Sequence, residues 1–140
     1  YNHLLGQCTA TLLGSAKLAK KCRKNFPASL NGVPVLLPTP DGALHHVLRR
    51  WFESNDVHPE IVGEFADSAV VKVFGQKGAG VFAVPTVVEA EVRRQYRVHK
   101  IAELDQVVES FYALSVERKV RHPAVAAIYE AAREGIFAQT

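Results

Sequence analysis

Val33-Pro34-Val35-Leu36-Leu37-Pro38, then Thr39-Pro40-Asp41-Gly42, then Ala43-Leu44-His45-His46-Val47-Leu48-Arg49-Arg50-Trp51-Phe52, is the stretch that decides the fold. Val33 to Leu37 is a short apolar run bounded by turn residues, which suits a buried strand. Leu44, Val47, Leu48, Trp51 and Phe52 recur at the i, i+3, i+4, i+7, i+8 spacing of an amphipathic helix, here running to about Ser54. The two patterns meet in a four-residue junction of turn formers, the signature of a strand–helix unit.

The unit recurs downstream. Asn55-Asp56 ends the first helix, and Glu60 to Phe65 reads as the next strand. Asp67 or Ser68 is placed to cap a helix carrying Val70, Val71, Val73 and Phe74. Gly75 to Gly80 is a loop, Val81 to Val84 a strand closed by Pro85, and Thr86 is placed to cap a third helix to about Tyr96. Such alternation argues for a largely parallel sheet with helices on both faces. Upstream, Leu4 to Leu13 is strand-like, Ser15 caps a basic helix from Ala16 to about Lys24, Phe26-Pro27 ends it, and Asn31-Gly32 is a turn. Downstream, Arg97 to Ile101 reads as a short strand and Gln106 to Glu117 as a long one. In the long one, Val108, Ser110, Tyr112, Leu114 and Val116 alternate with Val107, Glu109, Phe111, Ala113 and Ser115, so both faces are expected to be covered. His122-Pro123 opens a last helix towards Arg133 or Phe137.

Composition bounds the function. The 140 residues are 48% hydrophobic, enough for a core and against disorder. A net charge of +3 is thin for a nucleic-acid binder, and the basic run Lys17, Lys20, Lys21, Arg23, Lys24 reads first as a solvated helix face. Apolar stretches fall far short of the roughly 18 residues that span a bilayer. The two cysteines, Cys8 and Cys22, form neither a CxxC nor a zinc pattern, and fit reduced thiols in a cytoplasmic protein.

Motifs of catalysis are missing. Gly75, Gly78 and Gly80 follow a helix and precede a strand, the reverse of a dinucleotide fingerprint, and read as a helix stop and a tight entry into Val81. His45 and His46 are adjacent and diverge on a helix, which disfavours joint chelation, and neither HExxH nor G-x-S-x-G occurs. The three junctions Thr39–Ala43, Ala66–Ala69 and Val84–Val87 remain. In a parallel sheet they lie at the carboxyl ends of the strands, where ligands bind and helix N–H groups point outward. Capping by Asp41, Asp67 and Thr86 would account for the same residues. The residues by themselves therefore describe a binding domain, expected to be non-enzymatic, with no cofactor and no metal site.

Several runs carry a family resemblance. Phe26-Pro27, Leu30-Asn31-Gly32, Val35-Leu36-Leu37-Pro38, Leu48-Arg49-Arg50-Trp51-Phe52, Pro59 to Phe65 with Asp67, Gly78 to Pro85, and His122-Pro123-Ala124-Val125 resemble, in order and spacing, the second half of a LysR-type effector domain. Gly63-Glu64-Phe65, Lys72-Val73-Phe74-Gly75, Phe82-Ala83-Val84-Pro85-Thr86 and the run from Glu117 to Pro123 are similar to the activators of sodium/proton-antiporter genes. The resemblance implies an α/β fold like type 2 periplasmic binding proteins, with two Rossmann-like subdomains, the first one incomplete. Residues 27–105 would form the second subdomain, and 1–26 with 106–140 a remnant of the first. It implies an effector cleft touching Thr39, Asp41, Gly42, Asp67, Ser68, Phe82, Val84 and Thr86, completed by first-subdomain residues outside the chain. Asp41 would disfavour an anionic effector and favour a cation such as sodium, were Thr39, Asp41, Asp67, Ser68 and Thr86 to converge. The implied partners are a small-molecule or ion effector and further copies of the chain (a dimer of this fragment, a tetramer of the full-length protein). DNA would be bound only through an amino-terminal winged helix-turn-helix, and no membrane is involved. The rival reading is a secreted solute-binding protein of the same fold.

Overall fold

Period-two alternation sorts the core into two layers. On one face of the sheet Ala10, Leu12, Val35, Leu37, Ile101 and Leu104 pack with Ala19, Cys22, Leu48, Trp51 and Phe52 from helices. On the other face Leu13, Leu36, Phe82 and Val84 pack with Val92, Val98 and the half-buried Phe65, Val71 and Tyr96. Neighbours such as Leu12 and Leu13, or Leu36 and Leu37, thus serve opposite layers, as a strand covered on both sides requires.

The computed structural model describes residues 1–116 and 122–136. Its elements are β1 (Asn2–Gly14), α1 (Ala16–Arg23), β2 (Pro34–Pro38), α2 (Ala43–Ser54), β3 (Glu60–Phe65), α3 (Ser68–Gln76), β4 (Phe82–Pro85), α4 (Glu89–Tyr96), β5 (His99–Leu114) and α5 (Pro123–Gly135), with short 3-10 turns at Ala28–Leu30 and Thr86–Val88. The run from Glu117 to Arg121 and residue Phe137, used above, lie outside the described residues.

β2 and β3 pair in parallel, and a parallel bridge between Val35 and Val81 brings β4 in beside β2. β1 then pairs antiparallel with both β4 and β5. The sheet is therefore mixed, where a largely parallel one was expected. The parallel part is limited to the three strand–helix units, while β1 and β5 run alongside it as long antiparallel partners.

Two other expectations change. The separate strands at 97–101 and 106–117 are one strand, β5. Thr9 lies opposite Val108 and the next residue, Ala10, opposite Leu104. One step on β1 thus matches four on β5, and Asp105, Gln106 and Val107 form a bulge, with Val107 fully buried. The continuous β1 edge holds both halves of β5 in one ladder, so the extra residues bulge rather than break the strand. Nor are both faces of the distal half covered: Tyr112, Leu114 and Val116 are exposed, the last two by 81% and 96%.

Local signals act as read at several ends. Ser15 caps α1 by accepting the Leu18 N–H. α1 stops at Arg23, short of Phe26-Pro27, where Asn25 turns left-handed. Asn25 tolerates that conformation better than most residues. Gly78 has φ +82°, the turn that ends the α3 segment. Gly75, expected in the loop, instead lies within α3, with the Phe82 ring so close that an added Cβ would clash with it. That glycine lets α3 lie flat on β4.

Candidate functional site

Because β2, β3 and β4 are parallel, their carboxyl ends reach one edge. Pro38 is level with Phe65, and the Thr39 N–H donates to the Phe65 carbonyl at 3.2 Å. The Val81 N–H donates to the Pro34 carbonyl and the Leu36 N–H to the Val81 carbonyl, both at 2.8 Å, which sets β4 beside β2 and its end, Pro85, at the same edge. The three junctions read from the sequence therefore meet at one side of the sheet.

Their side chains do different work. The Thr39 hydroxyl donates to Asp41 Oδ1. Asp41 is not the cap of α2; Gly42 is, with no side-chain cap bond. The loop is gripped from α2 instead. The buried His45 places Nδ1 2.8 Å from the Pro38 carbonyl and Nε2 3.1 Å from the Arg49 Nε–H, and His46 places Nε2 2.7 Å from the Pro40 carbonyl. Asp67 does cap α3, accepting the Ala69 N–H at 2.8 Å. Thr86 does not cap a helix. It opens a 3-10 turn without a side-chain cap, and its hydroxyl lies 2.8 Å from those of Thr9 and Thr11 on β1. The buried Thr11 hydroxyl needs a partner, and Thr86 supplies it.

Between α3 and the strand ends is a cleft of about 330 Å³. Ser68, Phe82 and Val84 of the expected site line it; Thr39, Asp41, Gly42 and Asp67 stand outside its lining. Thr86 faces a neighbouring cavity of about 530 Å³, together with Gln7, Thr9, Val87 and Glu103. The set of oxygens Thr39, Asp41, Asp67, Ser68 and Thr86 is thus divided between surroundings and does not line one cavity.

Sequence reasoning missed Lys72 and Glu109, which also line the first cleft. Lys72 lies one turn after Ser68 on α3, so helical spacing could have found it. Glu109 reaches the cleft from β5, and its signal was a carboxylate among Val107, Phe111 and Ala113 on one strand face. Its Oε1 is buried and, among the described residues, has no hydrogen-bond partner, and desolvation raises the carboxyl above the ordinary carboxylate range. Cys8, opposite Glu109 in the ladder, is also buried. Burial pushes both its thiol and that of Cys22 up, which makes them poor nucleophiles near neutral pH.

The chain's relatives fit this arrangement. Residues 3–136 match the model of the LysR substrate binding domain. The chain belongs to that family. It is 33% identical, over 114 residues and 81% of its length, to the transcriptional activator protein NhaR of Escherichia coli (strain K12). It spans 38% of the length of that relative. Among solved structures, the reduced form of the regulatory domain of OxyR2 from Vibrio vulnificus superposes with TM-score 0.70 at 12% identity, over 96% of this chain and 64% of that one. The effector domain of the transcriptional regulator AmpR of Pseudomonas aeruginosa gives TM-score 0.70 at 18% identity, over 99% and 65%. The fold is therefore the type 2 periplasmic-binding-protein-like fold of LysR regulatory domains. Among the described residues, no helix is long and apolar enough to cross a membrane.

Proposed function

We propose that this chain is the carboxy-terminal part of the effector-sensing region of a LysR-type transcriptional activator, and that the cleft at the ends of β2, β3 and β4 receives the effector. The convergence of three parallel strand ends on that cleft, in a chain of this family, is the observation that carries the reading. Residues 27–105 act as the second subdomain, and 1–26 with 106–140 belong to the first. Effector binding shifts the balance between subdomain arrangements, and oligomer geometry passes the shift to DNA-binding domains elsewhere in the protein. The likeness to NhaR favours a cytoplasmic activator of antiporter genes, responsive to sodium or alkaline stress, assembled as a homo-oligomer and without enzymatic chemistry. The solute-binding rival has no counterpart among the relatives described.

The reading is tested in the complete gene. An upstream winged helix-turn-helix supports it, and a secretion signal there overturns it. In a promoter–reporter assay, Ser68→Trp fills the cleft from an exposed position at the start of α3. The expected result is loss of induction with unchanged thermal stability; normal induction removes the cleft from the mechanism.

A further inference from the structure

Charge is spread very unevenly along the chain. From Tyr1 to Pro40 there is no acidic residue, and every lysine and arginine of that stretch falls between Lys17 and Lys24. Five of the 17 basic residues stand there, and the remaining 12 are outnumbered by the 14 acidic ones. The positive charge of the chain is therefore owed to α1 and its end. Folding turns this run into a stripe. α1 buries Ala19 and Cys22, and its exposed side carries Lys17, Lys20 and Lys21, with Lys24 following at the cap. Their i, i+3, i+4, i+7 spacing keeps the four on one face over about 10 Å of helix. Arg23 is set apart: its Nε and Nη2 donate to the Lys100 carbonyl at 2.8 and 2.6 Å, which ties the end of α1 to β5. Among the described residues, none of the four lysines is in an ion pair.

Helix stability does not account for the stripe. Lys20 and Lys21 suit the negative end of the helix dipole, but Lys17 stands in the first turn, where positive charge is unfavourable and no acid offsets it. Lys17 also meets Lys20 and Lys21 as like charges three and four residues on, a destabilising arrangement. We infer that this face lies against the phosphate backbone of double-stranded DNA, a sequence-independent contact additional to the reading of bases by a separate domain. The choice of DNA among polyanions rests on the regulator reading above and on three features of the face. Its charges are lysines, compact point charges that suit a track of phosphates, whereas a planar carboxylate partner is matched better by arginine. Protein interfaces are depleted in lysine and anchored by large apolar or aromatic groups, and α1 exposes no large apolar side chain. A helix lying on a membrane inserts an apolar face, and that of α1 is taken up in the core by Ala19 and Cys22. None of the four lysines lines the effector cleft, so the two contacts do not compete for side chains.

Fluorescence anisotropy of a short labelled duplex of arbitrary sequence, titrated with the 140-residue chain, measures the contact. If four phosphates are neutralised, binding weakens about a hundredfold between about 50 mM and about 200 mM salt, a log–log slope of about −3.6. Lys17→Gln/Lys20→Gln brings the slope to about −1.8 and costs about tenfold or more in affinity at low salt, with the melting temperature unchanged or slightly raised. Arg93→Gln/Arg94→Gln removes the same charge from α4, on the other layer of the core, and leaves slope and affinity as they were. Amide shifts on adding duplex gather in α1. Failure to saturate at about 50 mM salt overturns the inference. So does an equal loss from the α4 variant, which would assign binding to net charge alone. Polyglutamate, or vesicles rich in phosphatidylserine, binding as tightly as duplex with the same dependence on Lys17 and Lys20 overturns DNA in favour of an acidic protein or a membrane. An upstream winged helix-turn-helix keeps the regulator reading whichever of these results is obtained, and a secretion signal there removes both.

Discussion

The residues from about Cys8 to Val107 and those beyond them obey different rules. Every described residue that is fully buried lies in the first group, most of them in two apolar layers closed by α1 and α2 on one side and α3 and α4 on the other. The second group comprises the start of β1, the end of β5 and α5. Its strands are hydrogen-bonded into the ladder from the Asn2–Leu114 pair inward, with one register shift between Leu4 and Gly6, yet α5 buries no residue, and Leu114 and Ile128 are 81% and 70% exposed. Hydrogen-bonded ladders satisfy the backbone, but burial of apolar surface supplies most of the stability. Secondary structure and core are therefore separable here. The distal ladder has the first without the second.

Truncation breaks the comparison most strongly if it is wrong. Phe82, 1% exposed, lies under α3; Phe82→Ala should cost about 3–5 kcal/mol, and Leu48→Ala about 2–5 kcal/mol. Ile128→Ala in α5 should stay within about 0.5 kcal/mol. Urea unfolding of the three variants measures the gap, and a large loss from Ile128→Ala would mean that α5 belongs to the core.

Thiol labelling sharpens the boundary. Cys8 sits where the two regions meet, and Cys22 inside the first layer. Local opening of the distal ladder should expose Cys8 first, while Cys22 waits for global unfolding. Iodoacetamide labelling followed by mass spectrometry should find Cys8 modified faster in the native chain, and equal rates would place both in one cooperative unit.

The smallest effect lies at Glu109, on the border itself. Its carboxyl is raised by desolvation, so the folded chain holds this proton more tightly than the unfolded chain. The resulting stabilisation is present at pH below the unfolded carboxylate value, about 4.3, and is lost as pH rises through the higher folded value. Glu109→Gln should therefore raise the melting temperature slightly near pH 8, with the gain shrinking as pH falls towards about 4. A gain that grows on acidification would show Glu109 to be a favourably paired carboxylate.

Some of the site was legible before folding, and residue type explains which parts. Asp67 was readable as a cap because its partner is two residues away. Ser68 was placed by family resemblance at a strand–helix junction, and Phe82 and Val84 on a strand whose apolar run was plain. Thr86 misled, because a hydroxyl at a helix start looks like a cap whether or not it bonds elsewhere, and its partners Thr9 and Thr11 are more than seventy residues distant. Glu109 was hidden by alternation itself: a charged residue in a strand is normally assigned to water, and only tertiary packing buries its Oε1. The continuity of β5 depended likewise on β1, which no local pattern around Asp105 reports.

Local order, then, was written in the chain alone: three strand–helix units, the caps at Ser15 and Asp67, and the two-sided burial of the short strands, because these follow from periodicity and from bonds between residues a few positions apart. Tertiary structure alone decided which strands turn antiparallel, where β5 bulges, which junction residues face the cleft, and which carboxylate oxygen is buried without a donor among the described residues. Those outcomes depend on pairing and solvent exclusion between segments distant in sequence, and neither leaves a mark on the residues it concerns.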